Sequence, residues 1–251
     1  MWYRDLFRSE WGRFWIENYF SGGYRKYTVS EILFLKEVLN RGGITLDLCC
    51  GPGRHSIPLS FYGKIVSFDL SKYFLLYLKN RGKSEGCYEN LHLVQGDMRR
   101  LPFKSESFDN VINFHMSFGY FSDEENELVL REVSRILKSN GVFVLDIANP
   151  RWIIRNFQER VWDETNSFYV LEKRNLDLRY KRLRSHWVLI DKHKGKLDDL
   201  LVDHRLYDLK ELEALLTGIG LNIVDVFGSP KKEMFYKTRS RRILIITRKK
   251  L

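Results

Sequence analysis

The fold is decided by one stretch near residue 50, Ile44-Thr45-Leu46-Asp47-Leu48-Cys49-Cys50-Gly51-Pro52-Gly53-Arg54-His55-Ser56. A short, mostly apolar strand runs into a turn with two glycines, and a helical pattern follows the turn. Glycine allows the backbone to bend through positive φ and allows a ligand to press against the main chain. The N–H groups at the start of the helix would then face a carboxylate or a phosphate. The stretch therefore predicts a strand, a turn and a helix with a ligand bound at the turn.

Short strands and helices continue to alternate on both sides of this stretch. Further strands are predicted at Lys64–Asp69, His92–Val94, Phe108–Phe114, Val142–Ile147, Leu221–Phe227 and Ile243–Thr247. Helices are predicted from Ser30 to the Gly42-Gly43 stop and at Arg54–Tyr62, Ser71–Arg81, Glu124–Lys138 and Leu209–Leu216. Apolar strands that alternate with helices are typical of a parallel sheet covered on both faces. We expect an α/β fold with a doubly wound, mostly parallel, seven-stranded Rossmann-like sheet.

Two segments depart from that alternation. A small antiparallel insertion after the fifth strand is predicted from three strands joined by polar turns, Phe168–Lys173, Arg182–Asp191 and Leu197–Leu206. One face of an N-terminal helix is predicted from aromatic residues three or four positions apart, Tyr3, Phe7, Trp11 and Phe14, which form core or a substrate cage. The expected organisation is a helical segment over 1–29, a main domain over 30–150 and 206–251, and an inserted lobe over 151–205. We expect the lobe to act as a lid or substrate wall.

The composition excludes several classes of protein. The 251 residues are 44% hydrophobic and 29% charged, which excludes a disordered chain. The three cysteines form neither a disulfide framework nor a zinc-binding pattern. No run of about 18 apolar residues is present to span a membrane. The N-terminus lacks the apolar segment of a signal peptide, so the reducing cytoplasm is the expected location.

The positive charge is concentrated in the last two fifths of the chain. The formal net charge is +10, and residues 151–251 hold 23 Lys and Arg against 14 Asp and Glu. The densest part is 231–250, where nine basic residues accompany one acidic residue, Glu233. A basic end of this kind is typical of proteins that bind nucleic acid or an anionic substrate. A solvated surface is the alternative interpretation.

Acidic residues follow two further strands at the same predicted edge of the sheet. Asp69 ends the second strand, and Asp97 follows the third. Open parallel sheets bind ligands at the carboxyl ends of their strands, beside the point where the strand order reverses. A carboxylate at Asp69 can accept hydrogen bonds from both hydroxyls of a ribose. Asp97 can accept a hydrogen bond from the amino group of an adenine, and Leu70 and Met98 offer apolar contacts to the adenine ring.

On these motifs the sequence resembles the class I S-adenosylmethionine-dependent methyltransferases, from about Ser30 to Asn149 and again from Leu206 to Thr247. Asp47-x-Cys49-x-Gly51-x-Gly53 is similar to the family's Asp-x-Gly-x-Gly-x-Gly loop, with Cys49 in place of the first glycine. Other family motifs are matched by Val66–Asp69, Gly96–Met98 with Leu101–Phe103, Phe108–Ile112 and Leu137–Val142. The runs Gly51–Ser56 and Ser117–Phe121 resemble a subgroup of largely uncharacterised bacterial and archaeal members.

The resemblance implies S-adenosylmethionine as the cofactor and S-adenosylhomocysteine as its product. The residues that it implies at the nucleoside end are Gly51, Gly53, Asp69, Leu70, Asp97 and Met98. At the methionine end it implies Thr28, Arg54 and Phe114, with Asp47 either orienting the loop or meeting the ammonium group. Cys49 departs from the pattern, and a side chain at that position can crowd the methionine part of the cofactor.

The acceptor side is expected from segment 113–120, the N-terminal segment and the lobe. Methyl transfer from a sulfonium is an in-line displacement, so positioning supplies much of the rate. A general base is needed only if the acceptor is protonated, and His115 is the candidate, with a packed structural histidine as the alternative. Tyr120 either lines the pocket or packs against it. No cluster with metal-ligand spacing accompanies the site, so no metal is expected.

The sequence favours a small molecule, which can be anionic, as the methyl acceptor at O, N or C. The compact insertion suits a lid, and Asn113-Phe114-His115-Met116 lacks the prolines typical of enzymes that methylate exocyclic amino groups of bases. The three cysteines precede the fourth strand, which disfavours the cysteine route to 5-methylpyrimidine. The alternative is an RNA methyltransferase that uses the basic and aromatic run Lys231–Arg242. A non-catalytic cofactor-binding protein comes third. A nicotinamide dehydrogenase is disfavoured by Asp97 and by Ser56, which replaces the third glycine of the dinucleotide fingerprint.

Overall fold

The computed structural model describes residues 2–5, 7, 9–21 and 25–250, which form eight α-helices and eleven strands. The helices are α1 (Trp2–Asp5), α2 (Ser9–Phe20), α3 (Arg25–Val38), α4 (Ser56–Ser60), α5 (Lys72–Ser84), α6 (Asp123–Ile136), α7 (Pro150–Arg155) and α8 (Leu209–Gly218). The strands are β1 (Thr45–Leu48), β2 (Ile65–Asp69), β3 (Leu91–Gln95), β4 (Phe108–Asn113), β5 (Leu137–Ala148), β6 (Arg160–Glu164), β7 (Phe168–Asp177), β8 (Arg182–Asp191), β9 (Gly195–Arg205), β10 (Leu221–Phe227) and β11 (Arg242–Lys249).

The first sheet has seven strands in the order β10-β11-β5-β4-β1-β2-β3. Strands β3, β2, β1, β4 and β5 are parallel, while β11 pairs antiparallel with both β5 and β10. β1 lies between β2 and β4, so the strand order reverses at β1. The carboxyl ends of these strands therefore meet where open α/β sheets bind their ligands. The expected α/β class and mostly parallel seven-stranded sheet are confirmed.

Both faces of this sheet are buried. Along β5, Phe143 and Leu145 belong to the hydrophobic cluster that includes α6 and α8. The alternating residues Val142 and Val144 belong to a second cluster, which includes α3 and α5. All four side chains are at most 1% exposed. A strand that is covered on both sides is apolar at nearly every position, and this explains the continuous apolar run of β5.

The second sheet is antiparallel, with the order β6-β7-β8-β9, and is built from one continuous part of the chain after β5. Helix α2 packs on it through a separate cluster in which Trp11 and Phe14 meet Phe168 and Leu189. The indole Nε1 of Trp11 also donates a hydrogen bond to Asp198 Oδ2 at 2.9 Å. The helix and the second sheet therefore form one wall.

Several sequence-based boundaries were wrong. The insertion has four strands, because β6 was missed; it is an edge strand with mostly exposed side chains, so it carries no apolar pattern. The N-terminal aromatic residues do not lie on one helix, since Tyr3 belongs to α1 and Trp11 to α2. Strand β5 begins at Leu137, where pairing with β4 already starts, rather than at Val142. Helix α4 is a short helix that begins at Ser56, after the glycine turn. The described helices include none with the length and apolar character needed to cross a lipid bilayer.

Candidate cofactor and acceptor site

A cavity of about 1220 Å³ lies between the carboxyl edge of the first sheet, the inner face of the second sheet and α2. The sequence-predicted site residues that line it are Gly51, Asp69, Leu70, Asp97, Met98, His115 and Tyr120. The other predicted residues lie behind this lining: Thr28, Asp47, Gly53, Arg54 and Phe114. The structure thus brings the predicted nucleoside-binding residues other than Gly53, and the predicted acceptor residues, to one cavity.

Asp69 holds the glycine turn at the end of β1. Its Oδ2 accepts a hydrogen bond from the N–H of Gly51 at 2.8 Å, and its Oδ1 accepts one from the N–H of Ser71 at 2.8 Å. Gly51 has φ of 55°, in the left-handed region that favours glycine. Burial raises the pKa of Asp69 to about 6, although the backbone hydrogen bonds favour its charged form. Each carboxylate oxygen keeps a second lone pair, so this side chain can still accept the hydroxyls of a ribose.

Cys49 occupies a left-handed conformation, with φ of 61°. Glycine reaches this conformation without strain, while a side chain costs free energy there. The Sγ atom lies 3.3 Å from Met98 Sδ and faces the cavity. The Cys49 side chain therefore lines the cavity beside Met98, one of the residues predicted to contact the adenine.

Asp97 is engaged by a residue that the sequence analysis missed. Arg99 donates from Nε to Asp97 Oδ1 at 3.0 Å and from Nη2 to Oδ2 at 2.6 Å. Burial opposes ionisation of Asp97, but the hydrogen bonds from Arg99 outweigh it and lower the pKa of the carboxyl. The Arg99 guanidinium also lies 4.3 Å from the centre of the Phe121 ring. The position of Arg99, two residues after Asp97, was a local signal that could have revealed this pair.

Asp47 holds the glycine turn through a chain of buried hydrogen bonds. Its Oδ2 accepts a hydrogen bond from Ser56 Oγ at 2.6 Å, and Ser67 Oγ donates to Ser56 Oγ at 2.8 Å. Asp47 is 2% exposed and Ser56 is fully buried. Burial raises the pKa of Asp47. The serine at the third-glycine position of the dinucleotide fingerprint thus joins β1 to the start of α4.

A buried network of charges connects four elements beside the cavity, and three of its members, Glu31, Asp146 and Arg242, line the cavity. Glu31, on α3, is 1% exposed and pairs with Arg54, with His55 Nε2 at 2.9 Å and with Arg242 Nη1 at 2.8 Å. Arg242 also donates from Nε to Asp146 Oδ1 at 2.7 Å. Burial raises the pKa of Glu31, but His55 and the two guanidinium groups outweigh it, so the pKa lies far below its ordinary value.

Three of the predicted methionine-end residues belong to this network or contact it. Arg54 forms an ion pair with Glu31 and donates a hydrogen bond to Thr28 Oγ1 at 3.2 Å. The Phe114 ring lies 4.9 Å from the ring of His55 and is 3% exposed. Glu31 and Arg242 were missed by the sequence analysis because they are 211 positions apart, and no local spacing connects them.

His115 sits on a strained turn after β4. It has φ of 67°, and its N–H donates to Asp146 Oδ2 at 2.8 Å. Its Nδ1 lies 3.5 Å from the hydroxyl of Tyr19. Burial lowers the pKa of His115 to about 3, with further lowering by the charges of Arg54 and Arg242. The imidazole is therefore neutral over the physiological pH range.

The wall opposite the first sheet combines aromatic and charged side chains. Trp15 lies 5.5 Å from the stacked ring of Tyr19 and 5.8 Å from Trp187 of β8. On β7, Glu172 and Arg174 face the same cavity and pair with each other at 2.6 Å. Such a wall can contact an apolar ring on one side and polar groups on the other.

Four basic residues of the C-terminal stretch make side-chain contacts within the protein, while most of 231–239 is exposed. Arg242 belongs to the buried network, Lys232 pairs with Glu37 at 2.5 Å, and Arg248 donates to the Asn140 carbonyl at 3.2 Å. Lys249 donates to a main-chain carbonyl at 2.6 Å. Over the described ranges, no group of three or more His, Cys, Asp or Glu side chains is arranged to hold a metal ion.

Comparison with known proteins supports these observations. The family model described as a methyltransferase domain matches residues 45–141. The chain is 30% identical over 223 residues to an uncharacterized protein of Methanocaldococcus jannaschii, covering 86% of this chain and 77% of that protein. A solved S-adenosylmethionine-dependent methyltransferase from Clostridium acetobutylicum is similar with a TM-score of 0.81, 19% identity, and coverage of 97% and 100%. The sugar N-methyltransferase KedS8 from Streptoalloteichus is similar with a TM-score of 0.70, 17% identity, and coverage of 97% and 94%.

Proposed function

This chain belongs to the class I S-adenosylmethionine-dependent methyltransferases, and we propose that its methyl acceptor is a small molecule held in the cavity between the two sheets. The observation that carries the proposal is the size of this cavity, about 1220 Å³, together with its position between the two sheets. Pockets for one drug-sized ligand span about 300–1,000 Å³. The cavity therefore has room for the cofactor and a compact acceptor together, with the second sheet and α2 as the wall on the acceptor side.

The residues at the carboxyl edge of the first sheet fit the cofactor. The Asp69 carboxylate, fixed by the N–H groups of Gly51 and Ser71, would accept the ribose hydroxyls. Met98 and Leu70 would contact the adenine ring, with Asp97 at its amino group. Arg54, Thr28, Asp47, Gly53 and Phe114 would act from behind the lining by shaping the turn and the buried network. When bound, the cofactor supplies an electrophilic methyl group on a sulfonium.

The residues of the acceptor side would orient the nucleophile and keep water out. Trp15, Tyr19 and Trp187 provide stacking surfaces, while His115 and Tyr120 face the cavity from the first sheet. In-line displacement depends on alignment more than on any covalent residue, so a rigid aromatic wall suits the reaction. A neighbour in structure is named as a sugar N-methyltransferase, which agrees with a small polar acceptor.

The test uses S-adenosylmethionine labelled in its methyl group, purified protein, and a cell extract separated into metabolite and RNA fractions. We expect label in the metabolite fraction from the wild-type protein and at most a few per cent of it from Asp69→Asn. Asp199→Asn, on an exposed part of β9, is the matched control and should transfer as the wild type does. Label in RNA alone would overturn the small-molecule proposal and assign a docking role to segment 231–242.

A further inference from the structure

His204 of β9 is a second histidine that faces the cavity, from the side of the second sheet. Its Nε2 lies 2.7 Å from the carbonyl oxygen of Phe118. Because a carbonyl oxygen only accepts hydrogen bonds, Nε2 carries the proton and Nδ1 carries the lone pair. The structure thus fixes one tautomer of the neutral imidazole. Within the part of the chain that the structure describes, Nδ1 has no hydrogen-bond partner.

Three consecutive residues after β4 hold this imidazole. Besides the Phe118 carbonyl, Gly119 lies directly against the ring: a Cβ atom at Gly119 would lie 2.6 Å from Cδ2 and 2.7 Å from Nε2 of His204. Tyr120 packs edge-on, with ring centres 5.3 Å apart. The Ser117–Phe121 run, which the sequence analysis singled out, therefore acts as a cradle for a side chain from another sheet.

Tyr120 connects His204 to the rest of the cavity lining. Its ring packs against that of His204, and it lines the same cavity as Cys49, Leu70 and Met98. An acceptor bound in this cavity would therefore have access both to the residues predicted to bind the cofactor and to His204.

The charges around His204 leave its imidazole neutral. Burial lowers its pKa, while the hydrogen bond to Phe118 acts in the opposite direction. The nearest charged groups are Arg182 and Asp203, which pair with each other at 2.6 Å. Tyr120 is the titratable group on the facing loop, and burial keeps its hydroxyl protonated by raising its pKa. His115 is less suited to accept a proton, because its pKa is lowered to about 3.

We propose that Nδ1 of His204 is the general base of the reaction and that the acceptor is a hydroxyl or amine compound whose nucleophilic O or N carries a proton. The nucleophile's lone pair forms the new bond to the methyl carbon as the carbon–sulfur bond breaks and its electrons stay on sulfur. The proton leaves the O or N for Nδ1 of His204, which later releases it to solvent. His115 then orients the acceptor. This inference rests on the proposed small-molecule function.

The test compares His204→Gln with the wild type in labelled methyl transfer to the metabolite fraction between pH 6 and pH 9. The glutamine amide can still donate to the Phe118 carbonyl, so the cradle is preserved while the base is removed. General bases contribute about 10²- to 10⁴-fold, so we expect a rate at least about a hundredfold lower at pH 7. The lost rate should return about tenfold per pH unit as the acceptor ionises in solution. Binding of S-adenosylhomocysteine should be unchanged.

Two companion variants make the result specific. His186→Gln places the same substitution on the exposed face of the same sheet and should keep the wild-type rate and pH profile. His115→Asn should lower the rate without the recovery at high pH. Equal rates for the wild type and His204→Gln at pH 7 would overturn the inference, as would recovery at high pH in His115→Asn instead. Failure of the wild type to label any metabolite would instead contradict the proposed function itself.

Discussion

The carboxylate of Asp69 and the N–H of Gly51 are joined by a hydrogen bond of 2.8 Å that spans the ends of two neighbouring strands. A single side chain therefore fixes the turn of β1 and stands at the cavity as a charged acceptor. Burial holds the pKa of this carboxyl at about 6, close to the pH at which enzymes work. The geometry of the turn at Gly51 and the protonation of the Asp69 carboxyl are consequently linked.

The first prediction concerns binding of S-adenosylhomocysteine to Asp69 as a function of pH. Ribose hydroxyls donate to the ionised carboxylate, so we expect a constant affinity above pH 7. Below pH 6 the affinity should fall about tenfold per pH unit. Asp69→Asn should bind about 30-fold more weakly at pH 7.5, since a hydrogen bond to a charged group contributes about 2 kcal/mol, and should lose this pH dependence. Isothermal titration calorimetry measures both effects, and an equally steep pH dependence in Asp69→Asn would contradict the assignment.

The second prediction concerns the backbone strain at Cys49. A non-glycine residue at φ of 61° lowers the free energy of unfolding by about 1 kcal/mol, whereas glycine adopts this φ without that loss. We expect Cys49→Gly to be about 1 kcal/mol more stable than Cys49→Ala in urea unfolding, because both variants lose the contact with Met98 and only alanine keeps the strain. Equal stability of the two variants would show that the left-handed conformation is not maintained.

The third prediction concerns acid stability and His115. A histidine whose pKa falls from 6.5 to about 3 on folding is protonated only in the unfolded chain between these values. The unfolded state then binds more protons, so the free energy of unfolding falls by about 1.4 kcal/mol per pH unit on acidification below 6.5. His115→Asn, which tolerates positive φ, should lack this contribution.

The measured quantity is the difference in unfolding free energy between the wild type and His115→Asn at pH 7 and pH 5. A difference is required because Asp69 titrates in the same range with the opposite sign: its raised pKa stabilises the fold as pH falls from about 6. Asp69 is common to both proteins, so its contribution cancels. Parallel pH–stability curves would contradict a buried, neutral His115.

The fourth prediction concerns the contact of Gly119 with the second sheet. A Cβ there would meet the Arg205 carbonyl oxygen at 2.5 Å as well as the His204 ring, and φ is 112°. We expect Gly119→Ala to lower the free energy of unfolding by more than about 3 kcal/mol and to reduce methyl transfer. Gly86→Ala is the matched control, because Gly86 has φ of 72° with no atom within 4 Å and should cost only about 1 kcal/mol. Thermal unfolding of the two variants separates steric overlap from backbone strain.

Local patterns predicted the first sheet well, and they also predicted that Asp69 and Gly51 lie close together. Asp69 ends β2 and Gly51 follows β1, and the carboxyl ends of parallel strands must converge, so their proximity follows from the alternation of strands and helices. The pairing of Arg54 with Glu31 does not follow in this way. It depends on how α3 packs against the turn, which no periodicity in the sequence specifies. His204 is similar, because its environment is formed by a loop 86 positions away.

The second sheet was only partly predictable for a related reason. Strands β7 and β8 alternate clearly enough to be recognised, whereas Arg160, Trp162 and Glu164 of β6 are exposed and form an edge. An edge strand is held by main-chain hydrogen bonds on one side alone, so its side chains are under little constraint. The sequence therefore indicates strands that bury apolar side chains more clearly than a strand such as β6, whose side chains are mostly exposed.

The wall formed by α2 and the second sheet limits how this protein can change in evolution. Its two parts, 9–20 and 160–205, are distant in the chain but share one core, in which Trp11 and Phe14 meet Phe168. A recombination that replaced only one part would leave large aromatic side chains against a surface shaped for others. Under the proposed function, a change of acceptor would therefore require paired substitutions in both segments.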